Sequence, residues 1–228
     1  MRALLAMIAL FAMVGPASGE TTGRADEMQD HLAPVNLKVF KQYREVLDDK
    51  LGVTPFDCGR AMTQPSSEGE SAVSVYSRPA KNKRRIYYVT FTKAEANLWQ
   101  RREAPRKVKV RRIDAEIPSQ TARNLKLVWL RMLQDARDSE ATPLPKRQAV
   151  VAEGTLMEFS IQRSKGAPLF GEIVVSLPNI GKNIAALTNL SVTLADYCQS
   201  SATERVELNT SINRQALQLL VALRAKKP

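Results

Sequence analysis

Thirteen lysines and arginines fall between Arg78 and Arg112, against two acids, Glu95 and Glu103. The local charge of +11 equals that of the whole chain, so everything outside this window sums to zero. Charge gathered in this way raises the local potential and draws anions. From Arg106 onward cation alternates with apolar residue: Lys107, Lys109 and Arg111 on one side, Val108 and Val110 on the other. A strand of that pattern holds its cations on one face, and a neighbouring strand would bring Arg84 and Tyr88 beside it. The candidate anion-binding residues are therefore Arg84, Arg85, Lys107, Lys109, Arg111 and Arg112. The plainer use of such a run is an edge strand whose charges block unwanted strand pairing.

Asp114 and Glu116 stand at i, i+2 on the same predicted strand, and paired carboxylates can do acid–base work in a cleft. They directly follow Arg111 and Arg112, which makes them natural counterions. His31 is the single histidine and lies in a polar stretch, so no positioned base serves a serine or cysteine nucleophile. One histidine and two distant thiols do not build a zinc site. No glycine-rich phosphate loop follows a predicted strand; Gly154, Gly166 and Gly171 read as turn glycines. Trp99 and Trp129 fall on apolar stripes and read as core. No catalytic residue, metal or cofactor is assigned.

These residues need elements to position them, and an export signal precedes those elements. Met1 and Arg2 lead into an apolar run, Ala3 to Val14, broken by Gly15 and Pro16, and Ala17-Ser18-Gly19 offers small residues for cleavage. The run is 12 residues, short of the roughly 20 that span a bilayer, and nothing later approaches a membrane span. Residues 1–19 are thus expected to be a signal peptide, 20–32 a flexible mature N-terminus and 33–228 a single domain in the periplasm or outside the cell. Apolar content of 44% and charged content of 25% suit an ordinary globular core. In an oxidising compartment Cys58 and Cys198 are expected to form one disulfide, worth roughly 4–5 kcal/mol by loop closure.

Helical spacing predicts helices over about 33–49, 182–197 and 204–225, the last broken near Asn209–Ser211. The strongest helix runs from an N-cap at Ser119 to about Asp138, with Ala122, Leu125, Trp129, Met132, Leu133 and Ala136 on one stripe. Alternation predicts strands over 71–77, 85–92 and 106–117. A further pair, 150–162 and 171–177, forms a hairpin about Lys165-Gly166. Thr92 and Glu95 read as a capping box that starts a short helix from Lys93 to about Arg102. Residues 54–59 read as a loop or short strand, 64–71 as a loop, and 142–146 as a proline-rich linker. Half-polar strands mixed with helices indicate an α+β domain, a small, mostly antiparallel sheet packed by helices and stapled by one disulfide.

Export, a local basic face and no catalytic constellation lead to an exported, non-enzymatic binding protein. Its expected partner is an anionic envelope component or an acidic protein, with nucleic acid secondary. Two alternatives remain: a carboxylate-dependent hydrolase acting on envelope glycans, and a scaffold or assembly subunit whose helix stripes meet another chain. Neither the ligand nor the oligomeric state is legible at this level.

Overall fold

The computed structural model describes residues 32–33, 41–52, 54–81, 84–138, 155–175 and 180–225. The expected leader, the tail through His31, Lys83 and the 142–146 linker lie outside them. The architecture is α+β. Six antiparallel strands, β1 (Gly59–Gln64), β2 (Ser71–Pro79), β3 (Arg85–Ala94), β4 (Val110–Ile117), β5 (Thr155–Ile161) and β6 (Leu169–Val175), form one sheet in the order β4-β3-β2-β1-β5-β6. The helices are α1 (Lys41–Lys50), α2 (Ser119–Asp138), α3 (Lys182–Gln199) and α4 (Ala202–Ala225).

Strand alternation divides the sheet into two unlike faces. Ala61, Val73, Val75, Val89, Phe91, Ala115, Phe159 and Ile173 share one of them and meet α2 and α3. Helix α4 packs mainly against α2 and α3, burying Ile212, Ala216, Leu219 and Leu223. Two side-chain bonds, Thr121 to Asn209 and Asn124 to Asn213, set its register on α2. Those contacts are why α4 runs unbroken through Asn209–Ser211, where a break was expected. The second face is covered in part by α1 and the 95–108 segment, through a smaller core of Leu47, Leu51, Met62, Ala72, Ala94, Leu98 and Val108.

Several expectations need correction. Strand β1 lies between the two stretches 54–59 and 64–71, over residues with no predicted element: Gly, Arg, Ala and Met give no strand signal, and the conformation is imposed by β2 on one side and β5 on the other. Residues 93–102 do not form a helix. Instead β3 runs on to Ala94, with Thr92 buried in the sheet between Ala72 and Arg112. The basic strand begins at Val110, and Pro105–Lys107 is a single 3-10 turn. Trp99 is 37% exposed rather than core, while Trp129 is buried and donates Nε1–H to Arg60 O at 2.9 Å. Leu32, placed at the end of the expected tail, is fully buried, and Ala33 exchanges both backbone bonds with Glu172 on β6.

The disulfide is also corrected: Cys58 and Cys198 are separate, buried thiols. Cys58 enters β1 and its N–H bonds Val75 O on β2, whereas the Cys198 thiol donates to Val89 O on β3 at 3.4 Å. Strand β2 therefore stands between them. Burial pushes both thiols up to about 12, against an ordinary value of 9.0.

The thiols make the first prediction. Unfolding without reductant should expose two groups that react with a thiol reagent, and the folded protein should react slowly at pH 8. Because the folded state holds these protons more tightly, their contribution to stability is complete below about pH 9 and lost as pH climbs toward 12. A single unreactive cystine, or stability that rises over that range, would contradict this. Two glycines make the second. Gly59 has φ +133°, and an added Cβ would lie 2.6 Å from the Trp129 ring; at Gly171 it would lie 2.9 Å from Leu32 Cβ. In denaturant titrations Gly171→Ala should cost about 1–3 kcal/mol and Gly59→Ala about 3 kcal/mol or more, since strain adds to the clash.

Candidate anion-binding site

The basic window does not form one face. Strand β3 rises about 3.4 Å per residue, so Arg85 and Lys93 stand roughly 27 Å apart along it. Screening at physiological salt acts over about 8 Å, so cations at the two ends act as separate groups. At the β2–β3 hairpin lie Arg78, Lys81, Arg84 and Arg85, all exposed. There the Arg78 guanidinium sits over the Tyr76 and Tyr88 rings, and Arg85 lies 3.9 Å from Asp57. At the opposite end are Lys93, Arg101, Arg102, Arg106, Lys107, Lys109 and Arg111.

Of the six predicted residues, Arg84 and Arg85 are therefore remote from the other four. Those four divide again. Lys107 is in the 3-10 turn and Lys109 precedes β4, its carbonyl accepting Glu95 N–H at 3.0 Å. Arg111 shares the helix-packed face with its register partner Lys93. Arg112 points to the other face, where its Nε lies 3.3 Å from Asp114.

Lys93 and Arg111 open onto a cavity of about 650 Å³ at the end of the sheet. Its walls come from residues 67–69, the ends of β3 and β4, the 95–101 turns and Gln199 at the end of α3. Arg101 joins the two strand cations there, with Gln100, Gln199 and Phe91. Two acids, Glu68 and Glu95, share the lining, and Lys93 Nζ lies 3.6 Å from Glu68 Oε2. Both partners of that pair are open to water, with 48% and 74% of their side chains exposed, so it holds with about 0–1 kcal/mol. An incoming anion can displace it.

The wall that carries Arg101 is held by a residue that reads as unremarkable loop. Glu70 is fully buried, and its carboxylate accepts Tyr43 Oη–H at 2.5 Å, Leu98 N–H at 2.6 Å and Trp99 N–H at 3.2 Å. Burial and the adjacent Glu70 carboxylate raise the Tyr43 pKa, keeping its proton in that bond. Asn97 adds to the frame: its side-chain N–H groups reach Pro65 O and Glu68 O, and its Oδ1 accepts Gln100 N–H. Gly69 is required at the seam, because a Cβ there would lie 2.0 Å from Ala94 O. These contacts cap the 97–100 turns in the way that the Thr92–Glu95 box was expected to do. No local sequence signal marks Glu70, because its partners lie 27 to 29 residues away.

Asp114 and Glu116 lie on the opposite face from the cavity lining. The Asp114 carboxylate is engaged by Thr90 Oγ1–H and Arg112, and the Glu116 main-chain carbonyl accepts Tyr197 Oη–H at 2.7 Å. Asp114 is therefore bound as a counterion. Among the described residues no cluster of acids, histidine or thiols could hold a metal, and no helix is long and apolar enough to cross a membrane. Comparisons with protein-family models, curated proteins and solved structures give no match.

A third prediction concerns the frame. Glu70→Ala strands the buried Leu98 N–H and releases the partly buried Trp99 N–H and Tyr43 hydroxyl, and should lower stability by about 2–4 kcal/mol, with early proteolysis between Glu95 and Lys109. Loss of stability without local cleavage would place Glu70's role elsewhere.

Proposed function

We propose that this chain is an exported, non-enzymatic binding protein that takes an anionic component of the cell envelope in the cavity bordered by Lys93, Arg101 and Arg111. One observation carries the reading: three cations, from the end of β3, the start of β4 and the turns between them, border one concave site. A flat solvated edge would need no such convergence. The arrangement narrows the expected anion-binding set. Arg111 belongs to the site, Lys107 and Lys109 flank it in sequence, and Arg84 and Arg85 serve the far end of the sheet. Arg112 is held by Asp114. Export rests on the apolar leader at 1–19, and the buried state of both cysteines would protect their thiols outside the cell.

Asp114 and Glu116 lie on the sheet face opposite to Lys93 and Arg111, and Asp114 is already bonded by Thr90 and Arg112, which weighs against a glycan hydrolase built on that pair. An amide- and guanidinium-lined groove suits phosphate or carboxylate groups, since charge-assisted bonds from Arg and Lys are the strong ones.

The fourth prediction follows. The protein should co-sediment with phosphatidylglycerol vesicles and bind inorganic polyphosphate, and both interactions should weaken as salt is added. Lys93→Glu and Arg111→Glu should each weaken binding about tenfold or more, since a charged contact contributes about 1.5–3 kcal/mol. The hairpin pair Arg84→Glu and Arg85→Glu should change it little. Binding that ignores salt, or that depends on the hairpin and not on the cavity, overturns the proposal. Capture of an acidic protein through the same three cations, with no affinity for vesicles or polyphosphate, would replace the envelope ligand with a protein one.

A further inference from the structure

The two edges of the sheet are treated differently. On β6 the outer edge is bridged at one point by Ala33, which exchanges N–H and C=O with Glu172 at 2.8 and 2.7 Å. On β4 no strand lies on the outer side among the described residues. Its phase can be read from the Glu95 N–H to Lys109 O bond, which makes 95 and 109 a hydrogen-bonded pair. Antiparallel pairs alternate, so residues 111, 113, 115 and 117 bond β3, whereas Val110, Arg112, Asp114 and Glu116 aim their backbone groups outward. The Tyr197 hydroxyl on Glu116 O, reaching it from α3, confirms that phase.

We infer that this edge pairs with the β4 edge of a second copy of the same chain, antiparallel, about a two-fold axis through Ile113. The register follows from charge. Facing residues in such a pair must share a sheet face and both point their backbone groups at the partner. An axis through Arg112 would set two arginines directly opposite each other, and one through Asp114 two aspartates. The axis through Ile113 sets Arg112 opposite the partner's Asp114, and Asp114 opposite the partner's Arg112. Val110 then faces the partner's Glu116, Arg111 the partner's Ala115, and the half-buried Ile113 its own copy. In the two central Arg112–Asp114 pairs both N–H and C=O groups find partners, while Glu116 O keeps its bond from Tyr197 Oη–H.

The composition of β4 fits this use better than edge protection. Edges are blunted by charge, lysine above all, and like charges set opposite each other repel. Here Arg111 and Arg112 are matched by Asp114 and Glu116, so the strand is neutral within a window that is otherwise strongly basic. The existing Arg112–Asp114 contact is a water-exposed pair, with 38% and 42% of the side chains open, and is easily exchanged for one between chains. Strand addition alone buries less than a standard interface of about 1,600 Å². The dimer is therefore expected to dissociate on dilution.

Sedimentation equilibrium of the wild-type protein over a micromolar dilution series tests this. The expected result is a reversible monomer–dimer equilibrium. Asp114→Arg should raise the dissociation constant on the order of tenfold or more by turning two attractive pairs repulsive. Adding Arg112→Asp to that variant should restore association, because the signs are complementary again. Arg112→Pro removes an N–H that the monomer leaves facing water, a place where an edge strand tolerates proline. It should weaken the dimer with an unchanged circular dichroism spectrum, which keeps the test valid if the charge variants fold poorly. A single-chain mass at every concentration overturns the inference. So does a dimer that survives both Asp114→Arg and Arg112→Pro.

Discussion

Buried Glu158 and half-buried Arg44 form an ion pair between α1 and the sheet, and the second face depends on it. The Arg44 guanidinium grips both carboxylate oxygens, with the Glu158 side chain 4% exposed. Burial pushes the Glu158 carboxyl up, and Arg44 offsets part of that shift. Such pairs add little net stability over an apolar pair, but removing one partner leaves a stranded charge that costs about 3–5 kcal/mol. Their effect is to allow one docking position and penalise its neighbours. Once Arg44 is placed, its neighbour Tyr43 reaches Glu70, and Leu47 and Leu51 enter the smaller core. Glu70 then holds the turns that deliver Arg101 to the cavity. Each step is a contact between segments far apart in the chain.

Arg60 extends the same logic. It is buried without a carboxylate of its own, donating to Gly52 O, Thr54 O and Ser74 Oγ and lying 4.0 Å from the centre of the Phe56 ring. Burial lowers its pKa to about 10, which still leaves it charged at neutral pH. Its donors satisfy the carbonyls of Gly52 and Thr54, which lie outside the helices and strands. Buried charge on this face therefore does the organising that hydrophobic contact does on the other. The helix-packed face can rely on Leu, Ile and Phe because α2 and α3 present continuous apolar stripes. Helix α1 is short and mostly polar, so it is held by specific bonds as well as by Leu47 and Leu51.

What could be read in advance follows that division. The α2 helix and the β5–β6 hairpin were legible because their burial is one-sided and periodic: the stripe of α2, and Met157, Phe159 and Ile161 opposite Ile173. Strand β1 was not, since GRAMTQ has no alternation and Thr63 as its single β-former, and its place between β2 and β5 comes from its neighbours. The capping box at Thr92 failed because β2 and β4 pair with that residue on either side before a helix can start. The disulfide failed because cysteine count and compartment are silent on which strands separate two thiols. Of the site, Arg111 was legible as a cation on a strand. Its partnership with Lys93 and Arg101 was not, because it depends on the β3–β4 register and on Glu70.

The charge of the basic window shows why a sum along the sequence misleads. A net +11 spread over 35 consecutive residues suggests one potential, but a β-hairpin sends the two ends of that stretch to opposite ends of a sheet. At about three screening lengths apart they cannot act on one small anion together. Within each end, strand parity divides neighbours again, so that Arg111 and Arg112 face opposite sides although they are adjacent. Local binding strength depends on the cations that remain on one side, within a few ångströms, and not already held by an acid. By that measure the end near Arg111 has three within one concavity, opposed by two exposed glutamates. The edge strand beside it, carrying two charges of each sign, has no net field to repel its own copy, and the same parity that separates Arg111 from Arg112 is what aligns Arg112 with Asp114.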